Sequence, residues 1–134
     1  MILLPTMLIK HERGLSSTIH VRGHEVLVDV PRRLGGENKA PTSTELFVAS
    51  LGACSVFYIA QWCERAGVPH LGLEIETSYE FDTEEDRLTE IRLVIKLPPG
   101  FPESRRAAAL RVAKACLLHN ALHEEPVMET VLAE

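Results

Sequence analysis

The sequence predicts an α+β fold in which antiparallel β-hairpins pack against two long helices. Paired segments of alternating apolar and polar residues indicate the hairpins, and two long apolar segments with helical spacing indicate the helices. Clusters of glycine, proline and asparagine separate these segments. The expected order is three strands, a helix, two strands, a helix and a last strand. The chain has 134 residues with no repeat or linker, so we expect one domain over residues 1–134.

The N-terminal part of the chain has the pattern of β-structure. The opening MILLPTMLIK predicts a first strand, and STIHVRGHEVLVDVP predicts two more that turn at Gly23. The opening has no basic residues before it and no small-residue cleavage site after it, and it is shorter than the about 20 apolar residues of a membrane span. We therefore expect no export signal and no membrane span, which predicts a cytoplasmic protein with reduced thiols.

A glycine-rich loop leads into the first helix. The loop lacks the Gly-Lys-Ser/Thr ending of a phosphate-binding loop, so we do not expect it to bind a nucleotide. Thr42 and Glu45 fit a capping box at the start of the helix, and Gly67 fits a C-cap. Gly52 lies in the interior of the helix, where glycine costs about 1 kcal/mol relative to alanine. This predicts either a close neighbour at that turn or chemistry at Cys54.

The second half of the chain predicts a hairpin, a second helix and a last strand. Residues 102–125 predict one continuous helix with a proline in its first turn, and residues 126–134 predict the strand. The apolar face of the hairpin is expected to consist of Leu71, Leu73, Ile75, Thr77, Tyr79 and Phe81 on one strand and of Thr89, Ile91, Leu93, Ile95 and Leu97 on the other.

The net charge and the cysteine count argue against a nucleic-acid partner and against a disulfide framework. The net charge is −5 and the basic residues are scattered, so we expect no nucleic-acid partner. Three cysteines, an odd number, argue against a disulfide framework. Cys63 lies on the opposite face of the first helix from Cys54, and we expect it to be a small buried hydrophobic residue.

One group of residues has the spacing of a metal site. Cys116, His119 and His123 would share one face of the second helix and could ligate a metal ion. Structural zinc sites usually draw on two separate ligand pairs, however, and no fourth ligand is evident in the sequence. Histidines near a helix C-terminus are also favoured by the helix dipole alone. We therefore expect no metal and no cofactor, with a metal-binding module as a minor alternative.

The segment LGGENKAPTSTELFVASLGACS resembles the signature of the OsmC/Ohr family, thiol-dependent peroxidases that reduce organic hydroperoxides. In that family a glycine-rich loop leads to a helix whose early glutamate precedes the reactive cysteine by nine residues, a spacing that Glu45 and Cys54 keep. Cys116 matches the second family cysteine, which lies on the second long helix. The resemblance spans Val21 to Val131 and implies an OsmC-like intertwined homodimer with both active sites at its interface.

The resemblance implies a peroxidase cycle that uses two cysteines in turn. Cys54 would attack an organic hydroperoxide and become a sulfenic acid, and Cys116 would condense with it to form a disulfide. An external dithiol reductant, lipoyl- or thioredoxin-like, would then reduce the Cys54–Cys116 bridge. Cys63 takes no part in this cycle.

A thiolate buried on the first helix needs a positive neighbour. The helix dipole fades within the first turn, whereas an arginine keeps its charge when desolvated. Arg33 is our choice for this role, with Arg32 and Arg22 as alternatives. We expect Glu45 to hold the arginine, to form the capping box, or to do both.

Apolar residues of the first helix predict a substrate pocket. Phe47, Leu51 and Tyr58 lie near the reactive cysteine along the helix, and such a pocket suits an alkyl or lipid hydroperoxide better than hydrogen peroxide. In the implied dimer, the close neighbour at Gly52 and Ala53 would be a second copy of the helix or the glycine-rich loop.

One departure from the family pattern keeps a second function class open. Many members have a proline after the second cysteine, whereas Leu117 follows Cys116 here. The alternative is a non-catalytic, dimeric OsmC-like protein that binds a small ligand or acts in stress without turnover.

Overall fold

A computed structural model describes residues 1–134, which divide into two units, Met1–Phe47 and Val48–Glu134. The elements in chain order are β1 (Leu8–His11), β2 (Ser17–Val21), β3 (His24–Val28), α1 (Ser43–Ala66), β4 (Glu74–Asp82), β5 (Arg87–Lys96), α2 (Arg106–Lys114) and α3 (Leu117–His123). Short 3₁₀ turns lie at Arg32–Leu34 and Glu103–Arg105. The architecture is α+β with antiparallel sheets, as the sequence predicts.

The N-terminal unit contains a three-stranded antiparallel sheet in the order β1-β2-β3. Strands β2 and β3 join through Arg22 and Gly23, whose φ angles of 48° and 80° match the tight turn that twisted hairpins favour. The first strand is shorter than the sequence predicts. Only Leu8–His11 pairs with β2, from His20 back to Ser17.

The glycine-rich loop of this unit is organised by one buried carboxylate. Asp29 is 2% exposed, and its oxygens accept hydrogen bonds from the backbone N–H groups of Val30 (2.8 Å), Glu37 (3.2 Å) and Lys39 (3.1 Å). The backbone N–H groups of Lys39 and Val30 lower the pKa of Asp29. Gly36 lies so close to the Val30 carbonyl that a Cβ atom would clash with it.

Helix α1 begins and ends as the sequence predicts. The Thr42 N–H donates to the Glu45 carboxylate at 2.8 Å, and the Glu45 N–H donates to the Thr42 hydroxyl at 3.0 Å, which confirms the capping box. At the other end Gly67 has a φ of 67°, the left-handed conformation of a glycine C-cap.

By length and composition alone, α1 is also able to cross a membrane. It has 24 residues, and its most apolar window has a mean hydropathy of 1.6. The core helix of a soluble protein has the same features. In the C-terminal unit, Ile59 and Cys63 of α1 are fully buried in a cluster with Val68, Phe101 and Ala109. Cys63 is therefore the buried hydrophobic residue that the sequence predicts.

Strands β4 and β5 form the predicted hairpin, with Ile75 opposite Ile95 and Tyr79 opposite Ile91. A bulge between Glu80 and Phe81 shifts the register, so that Phe81 pairs with Leu88.

The prediction that Phe81, Thr89 and Leu71 face inward is therefore wrong. Phe81 is 54% exposed, and Thr89 is exposed and has no partner, because the register passes from Glu80 opposite Glu90 to Phe81 opposite Leu88. Leu71 lies before the strand, next to a turn at Gly72 that has a φ of 93°.

Strand β4 is the close neighbour that Gly52 accommodates. A Cβ atom at Gly52 would lie 2.8 Å from Cγ2 of Thr77 and 3.7 Å from Cγ2 of Ile75. Within the chain, the neighbour at Gly52 is thus the hairpin, where the sequence predicted a second helix copy or the glycine-rich loop. Ala53, the next residue, is exposed.

The predicted helix over residues 102–125 is interrupted, which corrects the expectation of two long helices. Ala115 and Cys116 leave the helical conformation, with ψ angles of 17° and 159°. The buried Ser55 hydroxyl donates to the Ala113 carbonyl at 3.0 Å. In a continuous helix that carbonyl would accept the N–H of Leu117. The Ser55 hydroxyl thus replaces the Leu117 N–H as the donor to the last turn of α2, and a new helix, α3, begins after Cys116.

The predicted last strand is also absent. Residues 126–134 are exposed and belong to no helix or strand. A strand requires a partner for its backbone hydrogen bonds, and the two sheets contain only β1 to β5.

We predict that Gly52→Ala destabilises the protein although alanine favours helices. The added methyl group would overlap Thr77, and overpacking of this kind typically costs about 1 to 3 kcal/mol. The loss would be measured as a lower urea midpoint. In a Thr77→Ser background, which removes the overlapping Cγ2 atom, Gly52→Ala should instead stabilise the protein by up to about 1 kcal/mol. Equal effects in both backgrounds would contradict a close approach of β4 to α1.

Candidate active site

Two of the three cysteines meet where α1 passes the break between α2 and α3. Cys54 is half-buried in the middle of α1, and Cys116 is fully buried at the N-cap of α3. The Cys116 side chain lies close enough to the Cys54 thiol to raise its pKa. The three thiols are free in this structure. Cys54 and Cys116 therefore lie side by side, and Cys63 lies apart in the core cluster.

The break between the helices turns backbone N–H groups toward Cys54. In a continuous helix the N–H groups of Leu117 and Leu118 would donate to the carbonyls of Ala113 and Lys114. In this structure they lie near the Cys54 sulfur, where they favour its charged form. The helix break would leave the buried Ala113 carbonyl without a hydrogen-bond donor. The hydroxyl of Ser55, the residue after Cys54, supplies that donor.

Opposing effects act on the pKa of Cys54. Burial raises the pKa, because a thiolate is poorly solvated in this position. The N–H groups of Leu118 and Leu117 lower the pKa, whereas Cys116 raises it by hydrogen bonding and by its like charge. The net result is a pKa above the ordinary thiol value. At neutral pH the Cys54 thiol is therefore protonated unless a further positive charge approaches it.

Cys116 is held by a histidine that the sequence analysis assigned to a metal site or to the surface. The distance from the Cys116 sulfur to Nδ1 of His119 is 2.8 Å, and the His119 backbone N–H caps the same sulfur at 3.5 Å. Burial lowers the pKa of His119, and the charge of the nearby His123 lowers it further. The three-residue spacing of Cys116 and His119 is the signal by which sequence alone could have found this pair.

The three residues of the metal-site alternative lie at the start of α3 and along it. Cys116 is the N-cap of this helix, and its sulfur contacts His119. The chain contains no group of three or more His, Cys, Asp or Glu side chains that is arranged to hold a metal ion.

Arg33 and Glu45 lie in the N-terminal unit. Arg33 is exposed in the 3₁₀ turn, and the Glu45 carboxylate is engaged in the capping box. No ion pair joins the two residues. Of the alternative arginines, Arg32 shares this turn and Arg22 lies in the β2–β3 turn. The roles of these residues at Cys54 stay predictions.

The three residues of the predicted substrate pocket have different environments. Phe47 is exposed, and Tyr58 is half-buried in an edge-to-face contact with Phe57, with ring centroids 5.5 Å apart. Leu51 is only 3% exposed, so it presents almost no surface to a ligand. The pocket as a whole stays a prediction.

We predict that Cys116→Ser lowers the pKa of Cys54. The substitution removes a second ionisable sulfur, and its charge, from beside the thiol, while serine can still cap α3. The measurement is the rate of Cys54 alkylation against pH, followed by peptide mass mapping. Cys63→Ser is the matched control and should leave the Cys54 profile in place. A midpoint that is unchanged or higher in Cys116→Ser would contradict a direct interaction between the two thiols.

Comparison with known proteins identifies the family. The sequence model of the family described as OsmC-like protein matches residues 36–131 of the chain, which includes both cysteines of the site. No curated protein sequence matches the chain significantly.

Solved structures support the same fold. A Psychrobacter arcticus protein, described as a candidate osmotic stress induced and detoxification response protein, superposes with a TM-score of 0.82 at 17% identity over 93% of each chain. An OsmC-like protein from Mycoplasma pneumoniae gives 0.77 at 17% identity, covering 93% of this chain and 91% of its own. An organic hydroperoxide resistance protein OsmC from Legionella pneumophila gives 0.62 at 21% identity, covering 92% and 93%. By its sequence match and by its fold, the chain belongs to the OsmC/Ohr family of OsmC-like proteins.

Proposed function

We propose that the protein is a cysteine-based peroxidase that reduces organic hydroperoxides to alcohols. The observation that carries this proposal is the adjacency of Cys54 and Cys116, which two-step thiol chemistry requires. Membership of the OsmC/Ohr family supports it, since the Legionella relative is named for resistance to organic hydroperoxides. Cys54 is the nucleophile and Cys116 is the resolving cysteine.

The reaction proceeds through a sulfenic acid. The Cys54 thiolate attacks one oxygen of the hydroperoxide, the O–O bond breaks, and the alcohol leaves after taking up a proton. The N–H groups of Leu117 and Leu118 favour the thiolate that starts this step. Cys116 then condenses with the sulfenic acid to form a disulfide and water. A lipoyl- or thioredoxin-like dithiol reduces the bridge and returns both thiols.

The cation that activates Cys54 is Arg33, with Arg32 and Arg22 as alternatives. Burial and the neighbouring sulfur hold the pKa of Cys54 above its ordinary value, so the backbone N–H groups alone do not generate the thiolate. A guanidinium stays charged when it is desolvated. None of the three arginines forms an ion pair in the chain. Glu45 orients the arginine in addition to capping α1.

The active form is a cytoplasmic homodimer. Two large apolar side chains near the reactive residues in sequence are exposed in the single chain. Phe57, three residues after Cys54, is 57% exposed, and Leu117, directly after Cys116, is 63% exposed. A second copy would cover such surface. It would also close an apolar pocket around the hydroperoxide, which Phe47 and Tyr58 would line and to which the buried Leu51 would contribute only as packing.

A non-catalytic, dimeric binding protein is the second candidate. Two observations favour it: the raised pKa of Cys54 and the leucine that replaces proline after Cys116. In that case the fold and the pocket bind a small ligand without turnover.

Cys54→Ser should abolish reduction of an alkyl hydroperoxide and leave the fold intact, because serine is nearly isosteric with cysteine. Peroxide loss would be followed with reduced protein and a dithiol. Cys63→Ser, the matched control, should keep near wild-type activity because its sulfur lies in the core. One equivalent of hydroperoxide should produce a Cys54–Cys116 disulfide by mass mapping. Turnover that survives in Cys54→Ser would eliminate Cys54 as nucleophile, and absence of turnover in the wild type would favour the binding protein.

Arg33→Met should raise the pKa of Cys54 and slow peroxide attack. Methionine keeps the apolar stem of the side chain and removes the charge that opposes desolvation. The test is thiolate absorbance against pH in a Cys63→Ser, Cys116→Ser background. Arg32→Met and Arg22→Met are matched controls, and a shift in one of these alone would reassign the role. If none of the three changes moves the titration, no arginine activates Cys54.

A further inference from the structure

We propose that His119 is the general base and acid of the resolving step, in which its Nδ1 atom takes the proton from the Cys116 thiol and passes it to the hydroxyl that leaves Cys54. This inference rests on the proposed peroxidase function and adds a third reacting side chain to it.

The geometry places Nδ1 of His119 in contact with the sulfur that must lose its proton. The Nδ1–Sγ distance is 2.8 Å, and the His119 backbone N–H lies 3.5 Å from the same sulfur. The first turn of α3 therefore fixes the imidazole ring against Cys116 by two contacts from one residue. A general base must lie within hydrogen-bond distance of the proton that it removes, and His119 meets this condition.

Burial leaves Cys116 with few other proton acceptors. Its accessible surface is 0%, so bulk water does not reach the sulfur. Ser55 lies 4.0 Å from the sulfur, but its hydroxyl donates its proton to the Ala113 carbonyl, and a hydroxyl is a weak base. Cys54 has become a sulfenic acid at this stage and supplies the leaving group. His119 is the remaining side chain that can accept a proton near neutral pH.

The imidazole is in the basic form when it is needed. Burial lowers the pKa of His119, and His123 on the next turn lowers it further, so the ring is neutral at pH 7. The titratable groups shown to face the ring are Cys116, in contact with Nδ1, and His123; Cys54 lies beyond them, beside Cys116. No carboxylate forms an ion pair with the ring to favour its charged form.

The step balances without a further oxidant. The Cys116 S–H bond breaks and its proton moves to Nδ1, leaving the electron pair on sulfur. That pair forms the S–S bond to Cys54 as the Cys54 S–O bond breaks. The departing hydroxide takes the proton from the imidazolium, so the products are a disulfide, one water molecule and neutral His119.

The first test separates sulfenic acid formation from disulfide formation. Reduced protein in a Cys63→Ser background is mixed with one equivalent of tert-butyl hydroperoxide, and both products are followed by quenching and mass mapping. His119→Asn keeps a polar side chain but removes the base. It should leave peroxide consumption in the first turnover unchanged and slow disulfide formation about tenfold or more, toward the roughly 10²-fold typical of a lost general base. His123→Asn, the matched control, should slow neither step when the reaction is run at a pH above the midpoint, where the imidazole is neutral in both proteins.

A second test needs no peroxidase activity. Cys54 is converted to its mixed disulfide with thiopyridine, and attack by Cys116 releases thiopyridone, whose absorbance is followed against pH. In the wild type the release rate should rise with pH through a midpoint below the ordinary histidine value, and His119→Asn should lose this step. His123→Asn should move the midpoint upward, because it removes a like charge. His119→Gln serves as a second variant if the asparagine variant is unstable.

Together the two tests distinguish a failure of the peroxidase function from a failure of the role of His119. If the wild type consumes no hydroperoxide while His119→Asn still slows thiopyridone release, the peroxidase function is wrong and the role of His119 stands. If His119→Asn forms the disulfide and releases thiopyridone at wild-type rates, His119 is not the base, whatever the peroxidase assay gives.

Discussion

The hydrogen bond from the Ser55 hydroxyl to the Ala113 carbonyl is the contact on which the candidate site depends. It lies next to Cys54 in sequence and joins two segments that are 58 residues apart. Because it satisfies the carbonyl that Leu117 would otherwise use, the second helical segment can stop and restart at Cys116. That restart buries the Cys116 sulfur, turns the next N–H groups toward Cys54 and sets His119 against Cys116. One buried hydroxyl thus links the fold of α2 and α3 to the chemistry of both sulfurs.

A second constraint acts two residues before Cys54. The hairpin approaches α1 at Gly52, where Thr77 occupies the space that a larger side chain would need. The same helix is therefore held on one side by β4 and on another by the break between α2 and α3. Small residues around Cys54 are consistent with this crowding, and the apparent helix-breaking glycine is a packing residue.

Features set by local sequence could be predicted, and features set by tertiary contacts could not. The capping box of Thr42 and Glu45 and the tight turn at Gly23 follow from neighbouring residues, and the structure confirms both. The break at Cys116 has no such signal, since cysteine is not a usual N-cap residue and the cause is Ser55, distant in the chain. The bulge at Phe81 is likewise a property of strand pairing.

The site itself divides in the same way. Cys54 and Cys116 could be found from the resemblance to a family signature, because their spacing along the chain is visible in the sequence. The backbone N–H groups of Leu117 and Leu118 could not be found in this way, because every residue except proline has such a group. His119 was visible as a neighbour of Cys116, but its proposed role depends on ring orientation and burial, which only three-dimensional structure supplies.

Asp29 determines how the loop that carries Arg32 and Arg33 responds to acid. Three backbone N–H groups hold its carboxylate in the charged form and keep its pKa below the ordinary value. A group with a lowered pKa stabilises the folded loop above that range and loses its effect only as pH falls through the lowered pKa. The Asp29 carboxylate is therefore charged throughout the pH range of living cells. The fold of the loop that carries Arg32 and Arg33 is therefore expected to be independent of pH across that range.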